Sequence, residues 1–390
     1  MTRFRSALAP LAIALIGLTA VPPPVARAAP TLPTQQQTQL QTQQRTCAPA
    51  VQGATTNARL TRLFTAHGND NSSLDDWTGA DGTYSLRLPS GKELWIFSDT
   101  FLGQVNPDGS RPPVVEEGGT TVFLNNSFAV ERDGRLSTIH DGTARQPTAV
   151  MPPRDANHWF WAGDGTLAGG LVEVTYQEYE RFGPGAWDWR WHRNVVARFA
   201  PGRLDEPISV HDLPSGRGVA WASGMLKDGG HTYVYGVEDH GSQKYMHIAR
   251  VRGQSLLGPW EFLAANGTWS PDEADSARIM DGVANEYSVS RVSASSGSGY
   301  VLITHDTTEV LSPNIVAYTS CSPVGPFTGK QHVHTTPETG GNIFTYNAHA
   351  HPEIAGDGLV VSYNVNSFVN TDHYRDVSIY RPRFLDVTFR

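Results

Sequence analysis

From about Cys47 onward, apolar and polar positions alternate in short runs rich in Val, Tyr, Phe, Thr and Trp, broken by Gly, Pro, Asp and Asn clusters. This is the period-two pattern of strands and turns, and helical periodicity is almost absent. The pattern also repeats. A small or polar opening leads into an alternating strand, a glycine turn, and a more apolar strand with a polar end. The copies are ADGTYSLRLPSGKELWIFSDT, GDGTLAGGLVEVTY from Gly163, ASGMLKDGGHTYVYGVED, NEYSVSRVSASSGSGYVLITHD and NAHAHPEIAGDGLVVSYNVN. Each precedes an apolar run that opens an outer hairpin, the last being DVSIYRPRFLDVTF. Five such units predict an all-β, five-bladed β-propeller with four antiparallel strands per blade, since radial repetition leaves few free sheet edges. A β-sandwich accounts for the strands but not for the repeated phrase. RLFTAHG, residues 62–68, is read as a strand lent to the last blade to close the ring.

Ahead of this body the pattern differs. TRFR, an apolar run and Ala26-Arg27-Ala28 predict a secretory signal over residues 1–29. The Gln/Thr-rich residues 30–46 have too few apolar side chains to pack and read as a flexible tether, which leaves 47–390 as the propeller domain. The apolar run is shorter than the ~20 residues of a spanning helix, so a secreted, extracellular protein without a membrane partner is expected. Cys47 and Cys321, the only two cysteines, then read as a disulfide. A net charge of -8 with no basic run argues against a nucleic-acid partner. A monomer is expected, with no cofactor.

The candidate chemistry lies in the first unit. With Pro89-Ser90-Gly91 as the hairpin loop, Arg87 pairs with Glu93, Leu86 with Leu94 and Tyr84 with Ile96. Continued outward, that register sets Asp81 against Asp99. Directly opposed like charges are destabilising. Two close carboxyls also push one pKa up, giving an acid and a base at one pH, which is what glycoside hydrolysis requires. Asp-Gly and Ser-Asp-Thr are equally ordinary turn chemistry.

WTGADGTYS followed by LWIFSDTF resembles the propeller family first catalogued as domain-of-unknown-function 4185, which includes the endo-D-arabinanases of glycoside hydrolase family 183. The resemblance implies a glycoside hydrolase acting on furanosidic cell-wall arabinan, a polysaccharide, with Asp81 and Asp99 as catalytic residues. Ser98 stands where members often have Gly, and beyond the first blade only the blade rhythm and SYNVN (362–366) match. A carbohydrate-binding propeller without catalysis, or a hydrolase of another glycan, fits the same pattern.

Superposing the units makes Asp164, Ser223, Glu286 and the stretch around Asn347 equivalent to Asp81. Positions near Glu238, His305 and Asn364 then match Asp99. Glu286 is the best third carboxylate; Asp164 repeats the Asp-Gly-Thr phrase. Asn347, His349, His351 and Glu353 alternate, so one strand face carries all four. Sugar contacts or internally satisfied hydrogen bonds are the favoured readings there, with His-x-His metal binding the lesser one, and no metal is assigned. Among the ten tryptophans, Trp77 and Trp161 (or Trp159) are placed for sugar stacking at the tunnel mouth, and the AWDWRWH row, whose Trp187, Trp189 and Trp191 share a face, suits sugar stacking but is read in favour of packing between blades.

Overall fold

The computed structural model describes residues 49–185, 188–295, 297–354 and 358–390. The expected signal, tether and Cys47 lie outside the described residues, as does Trp187. The described chain is all-β apart from short helical segments. Five sheets of four or more strands follow one another in sequence, each led by the first strand of one repeated phrase. Sheet one joins Tyr84–Arg87, Glu93–Phe97, Ser127–Arg132 and Arg135–Ile139. Sheets two, three, four and five are led by His158–Ala168, Ala220–Asp228, Tyr287–Ala294 and Ile343–His351. The leading strands touch in a circuit: one to two, two to three, three to four, four to five, and five back to one.

The first hairpin pairs as its sequence predicts. Tyr84 faces Ile96, Leu86 faces Leu94 and Arg87 faces Glu93. Gly91 takes φ 79°, the left-handed conformation that a hairpin loop of this length needs.

Closure differs from expectation in two ways. Residues 62–68 belong to a helix, Ala58–Gly68, not to a strand. Leu60 and Phe64 are buried one turn apart, and the Asn57 side chain caps the start by accepting from the Leu60 N–H at 2.9 Å. Phe64 sits between Trp95 and Phe384, each with ring centroids 5.0 Å away. The lent strand is instead Val51–Thr56, which pairs with Arg383–Phe389 in sheet five. The final run accordingly supplies one strand rather than an outer hairpin, and residues 368–382 form a connection with a short helix, Asp372–Arg375.

Three of the five leading strands are bulged. Register shifts fall between Ala162 and Gly165, Trp221 and Gly224, and Tyr346 and His349. Ala222 (φ 67°) and Asn347 (φ 57°) take left-handed conformations there, as does Gly82 (φ 61°) in the first unit. With that conformation as the marker, Asp81 corresponds to Trp221 and Tyr346. The equivalence of Asp81 with Ser223 is therefore displaced along the strand, whereas the stretch around Asn347 does contain the matching residue, Tyr346.

Candidate active site

Asp81 and Asp99 come together where the first hairpin opens toward the ring. The Asp81 N–H donates to the Asp99 carbonyl at 3.1 Å, and the Ser98 N–H donates to the Asp81 carbonyl at 2.9 Å. Ser98 and Asp99 thus share one partner, a bulge that re-aims the side chains that follow. Both carboxyls are buried, at 5% and 6% exposure.

Each has its own set of donors. Tyr346 and Tyr380 hydroxyls both donate to Asp81 Oδ2, at 2.6 and 2.9 Å. Asn125 Nδ2 and Trp161 Nε1 both donate to Asp99 Oδ1, at 2.9 and 2.7 Å. Burial pushes Asp81 up to about 6, against the two tyrosine hydrogen bonds that favour its charged form. Burial, and then the charge of Asp81, hold Asp99 well above the usual carboxylate range. Burial and mutual charge thus both favour a proton shared by the pair.

Glu286 joins them. It precedes the leading strand of sheet four and is half-buried beside the Tyr84 hydroxyl, its carboxyl raised by burial and by the charge of Asp81. Asp81 Oδ1, Glu286 Oε2, His349 Nδ1 and Asn364 Oδ1 are buried and take no hydrogen bond from the protein. Such groups are rare enough in folded proteins that a cluster of them marks a place of interest.

Other expected site residues have partners outside the pair. Asp164 accepts the Gly165 and Met225 N–H groups at 2.7 and 2.6 Å, tying sheet two to sheet three. Trp77 is wholly buried, tilted against Phe97 and stacked on His67, because its strand packs on the helix rather than at the ring's mouth. The bulge after Tyr346 breaks the alternation expected from Asn347 to Glu353. His349 is buried edge-on to Tyr84 at 4.7 Å. His351 Nδ1 and Glu353 both meet the Ser85 hydroxyl, joining sheets five and one. Asn364 is buried and donates to Thr83 Oγ1 at 3.0 Å. Among the described residues no group of three or more His, Cys, Asp or Glu side chains is arranged to hold a metal ion, and no helix is long and apolar enough to cross a membrane.

The residues that sequence reading missed are Tyr346, Tyr380 and Asn125. Tyr346 lies next to Asn347 in the very stretch singled out, and Asn125 in LNNSF opens the outer hairpin. Tyr380 gave no signal of its own. It comes from the connection between the second and third strands of sheet five and holds φ 80°, an outlier for a bulky side chain. Its trace is indirect: a Cβ on Gly79 would lie 2.6 Å from the Tyr380 carbonyl, so the glycine of WTGADG admits it.

The molecule is thus an all-β protein with a buried, donor-lined carboxylate pair at one end of its first sheet. The chain belongs to the family described as Domain of unknown function (DUF5005), whose pattern matches residues 67–389. The match is to this family rather than to the 4185 type that the first hairpin resembles. A candidate hydrolase from Bacteroides ovatus shares 22% identity over 86% of this chain and 90% of its own, with a TM-score of 0.70, which shows a common fold. Looser likenesses are to the GH43_1 enzyme from Xanthomonas citri complexed with xylotriose (14% identity, 85% and 92% coverage, TM-score 0.46) and to the alpha-L-arabinofuranosidase PaAbf62A from Podospora anserina (9%, 82% and 93%, 0.43). No curated protein matches the chain.

Proposed function

We propose that this protein is a secreted glycoside hydrolase, and that the five sheets are the blades of a five-bladed propeller with the active site at its axis. The observation that carries the reading is the Asp81–Asp99 pair: two buried carboxyls opposed in one hairpin, each held by donors from neighbouring sheets or connections. A fold that needed only a turn there would gain nothing from burying both acids.

The geometry suggests roles. Asp99, raised by burial and by the charge of Asp81, holds the pair's proton and gives it to the departing glycosidic oxygen. Asp81 is held as the carboxylate by Tyr346 and Tyr380 and serves as nucleophile, or as the base that activates water. Glu286, itself raised by burial and by the charge of Asp81, is a third carboxyl beside the pair and a candidate contact for a sugar hydroxyl. The resemblance of the first hairpin makes an endo-acting D-arabinanase the favoured activity.

The test is cleavage of mycobacterial arabinogalactan and, separately, of plant L-arabinan by the parent, Asp81→Asn and Asp99→Asn. Each substitution is expected to lower turnover by at least about a hundredfold, the usual scale for an acid or base. Variants as active as the parent remove the pair from catalysis. A parent that cleaves neither polymer leaves a carbohydrate-binding module or another glycan. Proton NMR of the first product gives the anomer, and so decides between nucleophile and base for Asp81.

A further inference from the structure

The pair does not sit alone at its end of the sheets. Sheet two contributes a cluster in which the Trp161 and Tyr179 rings are 4.4 Å apart and Trp189 lies 5.4 Å from each. Trp161, Tyr179 and Trp189 are only half-buried. On the opposite flank, sheet five contributes a row in which Phe368 packs on Phe344 at 4.6 Å and Phe344 on Tyr346 at 5.5 Å. Phe368, the outermost ring, is 48% exposed.

We propose that these two aromatic groups are stacking platforms on either side of the scissile bond, so that a glycan chain crosses sheet one with sugar residues bound on both flanks of the carboxylate pair. The proposal rests on the glycan-cleaving reading and specifies how the chain is held. Three observations converge on it.

First, sheets five, one and two are consecutive in the circuit of leading strands, so the platforms flank the sheet that carries both aspartates. Second, each platform is one hydrogen bond from a different aspartate: Trp161 Nε1 donates to Asp99, and the Tyr346 hydroxyl to Asp81. Third, both lie at the same end as the pair. Trp161 and Tyr346 precede the bulges of their leading strands, while Tyr179 and Phe368 lie at or just past the far ends of the second strands.

The chemistry suits a sugar chain. A furanose or pyranose ring offers an apolar face to an aromatic side chain and hydroxyls to polar neighbours. Asn366 Nδ2 donates to the Tyr346 hydroxyl at 3.0 Å, fixing the ring whose row ends at Phe368. A pocket closed on one side accepts only a chain end. Platforms on both sides accept the middle of a chain, which is the arrangement internal cleavage needs.

The test uses Asp99→Asn as a non-cleaving background and adds Phe368→Ala, Trp189→Ala or Trp189→Phe. Binding of a length ladder of D-arabinofuranosyl oligosaccharides is measured by calorimetry. Affinity is expected to grow with length. Phe368→Ala and Trp189→Ala should each weaken the longest ligands by about tenfold and the shortest hardly at all, with Trp189→Phe recovering most of the loss. With the parent, the first products from polymer should be oligosaccharides of mixed length. Affinity that stops growing at a disaccharide, variants that bind like the background, loss at only one flank, or free monosaccharide from the outset would each overturn the proposal. Length-dependent binding without any cleavage by the parent would sink the hydrolase reading and leave the two-sided track standing. No binding of any oligosaccharide sinks both.

Discussion

At the scale of residues, the site depends on two tyrosine hydroxyls converging on one carboxylate oxygen. Hydrogen bonds to a charged group contribute about 1.5–3 kcal/mol, or roughly one to two pKa units. Tyr346→Phe or Tyr380→Phe removes one such bond from the ionised form of Asp81, so its pKa, about 6 with both in place, moves up. If Asp81 must be ionised for turnover, the acid limb of the kcat/KM profile moves up by about one unit in either variant. A purely structural role for the hydroxyls lowers activity evenly across pH and leaves that limb where it was. The aspartates themselves were legible because they are local: one hairpin and one loop fix their register. Their donors were not. Tyr346 and Tyr380 lie 265 and 299 positions from Asp81, and only closure of the ring brings them there.

At the scale of elements, period-two alternation makes the strands legible in the sequence, while the one sizeable helix among the described residues is not. Ala58–Gly68 is short, and its two buried anchors, Leu60 and Phe64, give little period to recognise. Its stability comes from packing more than from propensity. Phe64 meets Trp77, Trp95, Phe97 and Phe384, so Phe64→Ala is expected to cost about 3–5 kcal/mol. Asn57→Ala removes one cap and is expected to cost only about 1 kcal/mol. Urea unfolding of both variants checks the order. Equal losses would place the helix's stability in its cap instead. The bulges of the leading strands were likewise invisible. A single inserted residue shifts which side chains share a face, so the alternation from Asn347 through His349 and His351 to Glu353 is broken and it is Tyr346 that bonds Asp81.

At the scale of the whole molecule, two sets of buried groups make opposite demands on pH. Burial raises Asp81 to about 6, and Asp164, Glu93 and Glu353 to about 7. These carboxyls keep protons in the fold that the unfolded chain has released, so their contribution is full below about pH 4 and is lost as pH rises through the folded values. Burial lowers His67, His247 and His373 to about 4, and His305 and His349 to about 3. For these the unfolded chain binds the extra proton, so stability is present above about pH 6.5 and is lost as pH falls toward the folded values. Between about pH 4.5 and 6 the two sets oppose each other, and stability is expected to vary little. Above about pH 6.5 the histidines are neutral in both states and no longer compensate. The urea midpoint should then fall as Asp164, Glu93 and Glu353 ionise, by an amount equivalent to about 2–4 kcal/mol up to about pH 8. Glu353→Gln removes one of these protons while keeping an acceptor for Ser85, and should flatten the fall. A midpoint that rises steadily to about pH 8 in the parent would show that the buried carboxyls are already ionised in the fold. The proton assigned to the Asp81–Asp99 pair would then have to be withdrawn with them, because the same burial places it there.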